Sequence, residues 1–194
     1  MTDLQPSKRD LILEHSLTLF SNRGYNGVGV EELATAAGVT KPTLYHYFGS
    51  KQGLLETLLC ERYDPFLDDL ATAAIYHRRD LPRSLTNVVT TFLAFGQREP
   101  KLYRMILAAG MTARDDLATQ QMATRLDIQD HLLRTMFAAA SEDHGNMIGR
   151  HHLAAASLQA TIFAYLQLGA GGEMTLDDGA VWRLIQQFSH GIYS

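Results

Sequence analysis

Hydrophobic residues recur every three or four positions along almost the whole chain, which is the spacing of an amphipathic α-helix. The longest such stripe begins at Lys51 and keeps its spacing to about His77. We find no convincing stretch in which apolar and polar residues alternate, as they would in a half-buried strand. The pattern therefore predicts an all-helical protein.

Residues that start and stop helices divide this pattern into segments. Ser7, Thr40 and Ser50 stand where N-terminal caps are expected, and glycines or prolines flank the apolar stripes. The first three helices are predicted to form a small head over residues 1–53, and the remainder a larger body over residues 54–194. These signals predict about nine helices, over residues 8–23, 30–37, 41–48, 51–77, 82–98, 100–110, 114–142, 150–168 and 178–191.

The stretch AGVTKPTLYHYFGSK, residues 37–51, contains a proline inside a run that otherwise indicates a helix. Proline has no backbone N–H to donate, but the N–H groups of a helix's first turn have no intrahelical acceptor. Pro42 therefore marks the start of a helix. The small residues Ala34 and Ala37 allow the preceding helix to cross closely, which predicts a helix-turn-helix.

The second helix of a helix-turn-helix can enter the major groove of DNA with its amino-terminal residues at the base edges. In this chain Thr40, Lys41 and Thr43 lie at that end, with Pro42 between them. His46 follows one turn after Thr43, on the same face. Their polar groups can pair with the donors and acceptors of base edges. We therefore expect these five residues to contact DNA.

Three further residues around this helix are suited to the DNA backbone. Tyr45 and Tyr47 carry hydroxyl groups at the ends of stiff rings, which favour fixed hydrogen bonds to phosphate. Lys51 begins the next helix, where N–H groups without intrahelical acceptors also favour an anion. Phe48 is expected to pack inward. We therefore expect Tyr45, Tyr47 and Lys51 to hold phosphates.

Charge favours a small DNA contact made by two copies of the chain. The chain has 17 Lys and Arg against 21 Asp and Glu, a formal charge of −4, and residues 1–53 contain five basic and five acidic side chains. One head neutralises few phosphates, so useful affinity needs two heads on two half-sites. The sequence therefore predicts double-stranded DNA as a partner and a homodimer as the binding form.

The stretch RGYNGVGVEELATAAGVTKPTLYHYFGSKQGLLETLL resembles the DNA-binding head of the TetR (tetracycline repressor) family of regulators. The resemblance covers about residues 8–59 and includes Gly24 and Tyr25, the AGVT turn, LYHYF and Lys51. It implies a cytoplasmic regulator, not an enzyme, that needs no cofactor and senses a small molecule in its helical body. It also implies repression, relieved when the ligand swings the connector helix and moves the recognition helices off successive major grooves.

The last two helices are the candidates for a dimer face. They combine small residues, which allow close helix approach, with large apolar ones. TetR-like regulators typically pair these two helices into a four-helix bundle. The alternative is that both stripes cover the protein's own core. The predicted face consists of Ala156, Ala160, Ala164, Trp182, Leu184, Ile185 and Phe188.

A ligand cavity in a helical body should be mostly apolar with a few inward polar groups. Gln129 is the clearest polar residue on an otherwise apolar stripe, and side chains of neighbouring helices can wall the same space. An ordinary core with a hydrogen-bonded glutamine is the competing interpretation. The predicted pocket consists of Phe92, Phe95, Tyr103, Met111, Met122, Leu126, Gln129 and Phe163.

The single cysteine and the amino terminus favour a cytosolic protein. Cys60 cannot form an intrachain disulfide, which suits a reducing compartment. Because no histidine is near it in sequence, we expect Cys60 to be a small buried residue and not a nucleophile. The first ten residues lack the apolar core of a signal peptide, so we expect no export.

Three other interpretations of the sequence compete with a DNA-binding regulator that responds to a ligand. Residues 153–172 lack formal charges over a length that spans a bilayer, but interspersed Ser, Gln and Thr residues favour a bundle helix. A metal-binding enzyme would draw on the stretch EDHGNMIGRHH, residues 142–152, whose spacing gives no preformed ligand triad, so we expect no metal. A constitutive DNA binder with a filled body stays open as an alternative.

Overall fold

The computed structural model describes residues 7–112 and 114–190, with Asn146 described by its backbone alone. This described part contains ten α-helices, a 3-10 turn at Gly145–Met147 and no strand, which confirms the all-helical prediction. The predicted last helix extended to Gly191, which lies outside the described residues. The helices are α1 (Lys8–Arg23), α2 (Val30–Ala36), α3 (Lys41–Phe48), α4 (Lys51–Arg62), α5 (Asp64–Ala73), α6 (Leu81–Arg98), α7 (Pro100–Gly110), α8 (Leu117–Ala140), α9 (His151–Ala170) and α10 (Asp178–His190).

Polar caps fix the starts of the first helices. At the start of α1, the Ser7 hydroxyl accepts a hydrogen bond from the Asp10 backbone N–H at 3.1 Å, and the Asp10 carboxylate accepts one from the Ser7 N–H at 3.3 Å. This reciprocal pair is a capping box. At the start of α4, the Ser50 hydroxyl accepts from the Gly53 N–H at 2.9 Å. The caps predicted at Ser7 and Ser50 are thus confirmed.

One predicted helix is two helices in the structure. The stripe from Lys51 predicts a single connector over residues 51–77, but α4 ends at Arg62 and α5 begins at Asp64. Pro65 explains the break, because its ring clashes with a preceding helical turn and it has no N–H to donate. Apolar residues keep their helical spacing on both sides, so periodicity alone does not reveal the break. The connector prediction was wrong on this point, and the break adds one helix to the expected nine.

The chain divides into two compact units. The first unit holds residues 7–65 and 101–124 apart from Ala113, so it joins α1–α4 to α7 and the start of α8. The second unit holds residues 66–100 and 125–190. This division differs from the predicted boundary after residue 53, which falls inside α4. The buried Leu54 and Leu55 tie that helix to the core of the first unit.

The second unit is a helical bundle in which α6, α9 and α10 pack against one another. Ala155, Leu158 and Ile162 form the fully buried side of α9. Among the described helices, α9 alone is long and apolar enough to cross a membrane, with a mean hydropathy of 1.3 over its most apolar window. One such helix is weak evidence for a membrane span, because bundle helices pass the same test. Only 28% of that window is buried within the chain, so much of its apolar surface is open.

Candidate nucleic-acid interface

Thr40 caps the start of α3. Its backbone is extended, with φ −90° and ψ 157°, and its Oγ1 accepts a hydrogen bond from the Thr43 backbone N–H at 3.4 Å. The hydroxyl oxygens of Thr40 and Thr43 are 2.9 Å apart. Pro42 is the second residue of the helix, where the missing N–H costs nothing. The helix therefore begins as the sequence predicts.

Burial divides α3 into an inward and an outward face. Leu44 is 0% and Phe48 is 8% exposed, and these two side chains anchor α3 in the first unit beside α1 and α2. This confirms that Phe48 packs inward. Most of the predicted DNA-contacting residues of α3 and its cap are exposed, and Thr43 is half-buried. The exposed ones are Thr40, Lys41, Pro42, Tyr45, His46 and Tyr47.

The aromatic residues of the outward face keep their polar atoms accessible. Tyr45 and Tyr47 are 44% and 42% exposed, although large apolar rings usually pack inward. The rings of His46 and Tyr47 meet edge to face with their centres 5.4 Å apart. The stiff rings thus present hydroxyl and imidazole groups side by side.

Lys41 forms one exposed ion pair within the first unit. Its Nζ lies 3.1 Å from a carboxylate oxygen of Glu31, and the two side chains are 44% and 81% exposed. Exposed pairs of this kind contribute little to stability. Glu31 can therefore give way when a phosphate or a base edge approaches the lysine.

Lys51 is half-buried at the start of α4, in contact with two aromatic rings. Its Nζ lies 4.0 Å from the centre of the Tyr25 ring and 5.9 Å from that of Phe20. Burial lowers the pKa of Lys51, and the nearby Asp116 carboxylate opposes this shift. The predicted phosphate anchor is therefore a positioned cation, partly withdrawn from water.

Asn26 and Asp116 complete this arrangement, and the sequence reasoning missed both. The Asn26 side-chain amide donates a hydrogen bond to Asp116 Oδ2 at 2.7 Å, and Asp116 Oδ1 accepts the Thr119 backbone N–H at 2.8 Å. The Thr119 N–H first, then the Asn26 amide, hold the pKa of Asp116 below its usual value. The spacing from Asp116 to Thr119 could have indicated a helix cap. Nothing in the sequence pairs Asn26 with a residue 90 positions away.

The sequence of this head matches a known family. Residues 12–58 fit the sequence model described as "Bacterial regulatory proteins, tetR family", and this range covers most of α1, all of α2 and α3 and most of α4. The head of this chain is of the tetR type. The resemblance expected from Gly24, Tyr25, the AGVT turn and LYHYF is thus confirmed.

Three named relatives extend the match beyond the head. The chain is 29% identical over 124 residues to the probable HTH-type transcriptional regulator YttP of Bacillus subtilis, covering 63% of this chain and 59% of that one. It is 25% identical over 184 residues to the HTH-type transcriptional activator FasR of Mycolicibacterium smegmatis, covering 95% and 82%. It is 36% identical over 75 residues to the HTH-type transcriptional repressor KstR2 of the same species, covering 34% and 37%. The chain thus spans less than two thirds of the length of two of these relatives.

A solved structure shares the fold over nearly the whole chain. The TetR-like transcriptional regulator from Rhodococcus sp. RHA1 is 22% identical and has a TM-score of 0.72, covering 97% of this chain and 98% of that one. At this identity the likeness shows the fold alone. The likeness of fold therefore includes the body as well as the head.

The predicted pocket residues that lie in the second unit are mostly packed into its core. Phe92 and Phe95 are 0% and 1% exposed, and both pack on Phe66, at ring-centre distances of 5.1 and 4.3 Å. Gln129 is fully buried and donates its amide hydrogen to Gln159 Oε1 at 2.6 Å. These contacts support the competing interpretation of an ordinary core with a hydrogen-bonded glutamine. Leu126 and Phe163 are half-buried.

The other three predicted pocket residues lie in the first unit. Tyr103 and Met122 are buried there, at 4% and 3% exposure, whereas Met111 is 85% exposed. Met111 follows the last residue of α7, where the apolar stripe no longer faces the core. Met111 is therefore not a wall of an enclosed pocket in this structure.

The predicted dimer face divides into open and covered residues. Leu184 and Ile185 are 0% and 8% exposed, because they lie on the side of α10 that faces the core of the second unit. For these two residues, the burial favours the alternative that the stripe covers the protein's own core. Phe188 is half-buried, with its ring centre 5.9 Å from that of Phe137. The remaining predicted residues are exposed, and they are Ala156, Ala160, Ala164 and Trp182.

The alternative metal site and the cysteine have ordinary surroundings. The Asp143 carboxylate accepts hydrogen bonds from the Tyr76 hydroxyl at 3.1 Å and the Arg79 backbone N–H at 3.0 Å. Across residues 7–112 and 114–190, no three His, Cys, Asp or Glu side chains gather as a metal ion needs. Cys60 is exposed, contrary to the expected burial, and its thiol donates to Glu56 at 3.2 Å. Partial desolvation, then Glu56 and Asp64, raise its pKa to about 11.

Proposed function

We propose that this protein is a ligand-responsive transcription regulator that binds a palindromic operator as a homodimer, with α3 in the major groove. The observation that carries the proposal is the division of α3 into two faces. Leu44 and Phe48 anchor one face in the core, while the polar residues of the other face stay accessible. An exposed polar helix face with a capped, amino-terminal end is the form in which helix-turn-helix proteins read bases.

The homodimer is supported by two independent observations. Residues 1–53 carry five basic and five acidic side chains, so one head alone has little electrostatic attraction for DNA. The four exposed residues of the predicted dimer face include Trp182, which is 63% exposed. Large exposed aromatic side chains beside small residues on two neighbouring helices favour close pairing with a second copy.

We propose that the protein represses transcription. An operator-bound dimer blocks transcription when its site overlaps a promoter, and release by a small-molecule effector then restores it. The names of the relatives include both a repressor and an activator. Expression of a reporter gene placed behind the selected operator, with and without the protein, shows directly whether the protein represses or activates transcription.

Selection of bound fragments from the source genome, by purified protein at physiological salt, tests the proposal. A palindromic site with half-sites about 34 Å apart, one helical turn, is the expected result. Failure to enrich any sequence above background, in protein shown to be folded and free of co-purified ligand by mass spectrometry, would contradict the proposal.

A constitutive binder is the second candidate, and the packing of the second unit favours it. Phe92, Phe95 and Gln129, three of the predicted cavity residues, are packed into its core. Thermal shift against a panel of compounds separates the two candidates, because a ligand that binds only the folded state raises the melting temperature. A shift of several degrees by one chemical class supports a sensor.

A further inference from the structure

A groove of about 640 Å³ lies within the first unit. One wall is the end of α1 and the loop after it, residues 20–27, and the other is formed by α7 and the start of α8. The floor is apolar, with side chains from Phe20, Met105, Ala109 and Met122. The rim is polar. The groove thus shares the end of α1 and the loop after it with the DNA-binding head.

We propose that this groove is an effector site for a neutral, largely apolar small molecule. The inference deepens the proposed function, on which it rests for its regulatory meaning. The sequence reasoning placed the sensor among Phe92, Phe95 and Gln129, which are packed in the second unit. The groove of the first unit offers open space instead.

The size and lining of the groove suit a small organic molecule. Ligand pockets in proteins usually measure about 300–1,000 Å³ and are mainly apolar, with a few polar groups that fix orientation. Met105 and Met122 are 6% and 3% exposed, and both face the groove. Methionine side chains are flexible and polarizable, so they can adapt to the shape of an apolar ligand.

The rim carries charges of both signs, and two of the charged groups already have partners, which points to an uncharged ligand. Arg23 and Arg104 oppose Asp115 and Asp116 around the opening. Arg23 is paired with Glu32, and Asp116 is engaged by Asn26 and Thr119. An ionic ligand would have to lose water without a net opposite field to compensate it. A neutral molecule with hydrogen-bonding groups at one end meets no such cost.

The groove is connected to the predicted phosphate anchor through one aromatic ring. Tyr25 lines the groove, and the centre of its ring lies 4.0 Å from the Lys51 ammonium nitrogen. Asn26 lines the groove as well and bonds to Asp116 across its rim at 2.7 Å. A molecule that packs on Tyr25 or breaks the Asn26–Asp116 bond therefore changes the support of Lys51. Binding in the groove and binding of DNA are coupled through these contacts.

Two other grooves lie within the second unit and are less suited to an effector. One, of about 540 Å³ between α5 and α6, is lined largely by polar side chains such as Thr72, Asn87 and Thr90. The other, of about 640 Å³, is formed by parts of α6, α9 and α10 and lies beside the proposed dimer face. Neither is lined by Tyr25, the residue whose ring contacts Lys51.

The inference is tested by comparing dye binding to the wild-type protein with dye binding to a variant whose groove is filled by a larger side chain. Nile red, a neutral apolar dye, is titrated into the purified full chain without DNA. Ala108 is an exposed residue of α7 that lines the groove, so Ala108→Trp fills it from the rim. Ala94→Trp is the matched control, because Ala94 is an exposed helical alanine that lines the α5–α6 groove. We expect saturable dye binding that weakens at least about tenfold in Ala108→Trp and changes by less than about twofold in Ala94→Trp.

Photolabelling of the unchanged protein covers the case in which Ala108→Trp fails to fold. A neutral alkyl diazirine is irradiated with the wild-type chain, and labelled peptides are identified by mass spectrometry. Label within residues 20–27 and 104–122 supports the site. Label confined to residues 66–98 or 151–190, absence of saturable dye binding, or unchanged affinity in folded Ala108→Trp would overturn it. Because neither experiment contains DNA, failure here is distinguishable from failure of operator selection.

Discussion

The Lys51 ammonium lies 4.0 Å from the centre of the Tyr25 ring, so the first residue of α4 is supported by the loop that follows α1. A cation over an aromatic face is attracted by the ring's electrons. This contact restricts the positions that the lysine side chain can take. A restricted cation loses less conformational freedom when it binds a phosphate.

Lys51→Ala should weaken DNA binding about equally on all operator sequences. A phosphate contact carries no base information, and its loss should reduce the slope of log affinity against log salt by about 1. Fluorescence anisotropy at several salt concentrations measures both effects. Lys101→Ala is the matched control, because Lys101 is an exposed lysine of the first unit that bonds to Thr18. An unchanged salt slope in Lys51→Ala would show that Lys51 does not contact DNA.

Thr43→Ala and His46→Ala should relax sequence preference at particular base pairs. Loss of a base-edge contact typically costs about 1–3 kcal/mol at the affected position. Competition between operator variants identifies that position. Thr35→Ala serves as the control, since the Thr35 hydroxyl bonds back to the Glu31 carbonyl on α2. If each substitution weakens binding equally on every operator variant, these residues contact the DNA backbone and not the bases.

Trp182→Glu should convert the proposed homodimer into monomers. Trp182 is 63% exposed in the single chain, so a charge at this position should change the stability of the fold little. In a dimer the same charge would be buried in an apolar interface, so it should weaken pairing strongly. Sedimentation velocity reports the mass, and operator affinity should fall at least about a hundredfold. Ile75→Glu is the control, because Ile75 is 59% exposed on another part of the second unit. A dimer that persists in Trp182→Glu places the interface elsewhere.

Asp116→Ala should destabilise the protein at neutral pH, and the difference from wild type should shrink in acid. Removing a helix cap typically costs about 0.5–2 kcal/mol. The folded protein lowers the pKa of Asp116, so this stabilisation is present above the ordinary aspartate pKa and is lost as pH falls through the folded value. Urea unfolding from about pH 7 to about pH 3 measures the trend. Asp115→Ala, at the adjacent exposed carboxylate, should show no comparable loss.

Cys60 should react slowly with iodoacetamide at neutral pH despite its exposure. Its pKa of about 11 leaves little thiolate, which is the reactive form. The rate should rise about tenfold per pH unit until the pKa is reached. Glu56→Gln removes a neighbouring negative charge, so it should lower the pKa and speed the reaction. A rate equal to that of free cysteine at neutral pH would contradict the raised pKa.

The head was predictable because its signals are local. Thr40, Pro42 and Gly49 mark both ends of α3 within ten residues, and Leu44 and Phe48 repeat at helical spacing. The bond between Asn26 and Asp116 was not predictable, because it joins residues 90 positions apart. Local propensity contains no information on such a pairing.

The body was less predictable because apolar periodicity does not say what covers a helix. Leu184 and Trp182 are both large and apolar, yet one is fully buried and the other is 63% exposed. They lie two residues apart, so they occupy different sides of α10. The sequence shows the stripe but not which of its edges faces the chain's own core. Gln129 is a similar case, since a buried glutamine can face either a ligand or another glutamine.

Trp182 also gives the protein an internal optical reporter. It is the only tryptophan among 194 residues, and its ring is largely in contact with water in the single chain. Indole emission shifts to shorter wavelength when the ring leaves water. Association of two copies through α10 can therefore be followed by fluorescence as the protein is diluted, with no label and no change to the sequence.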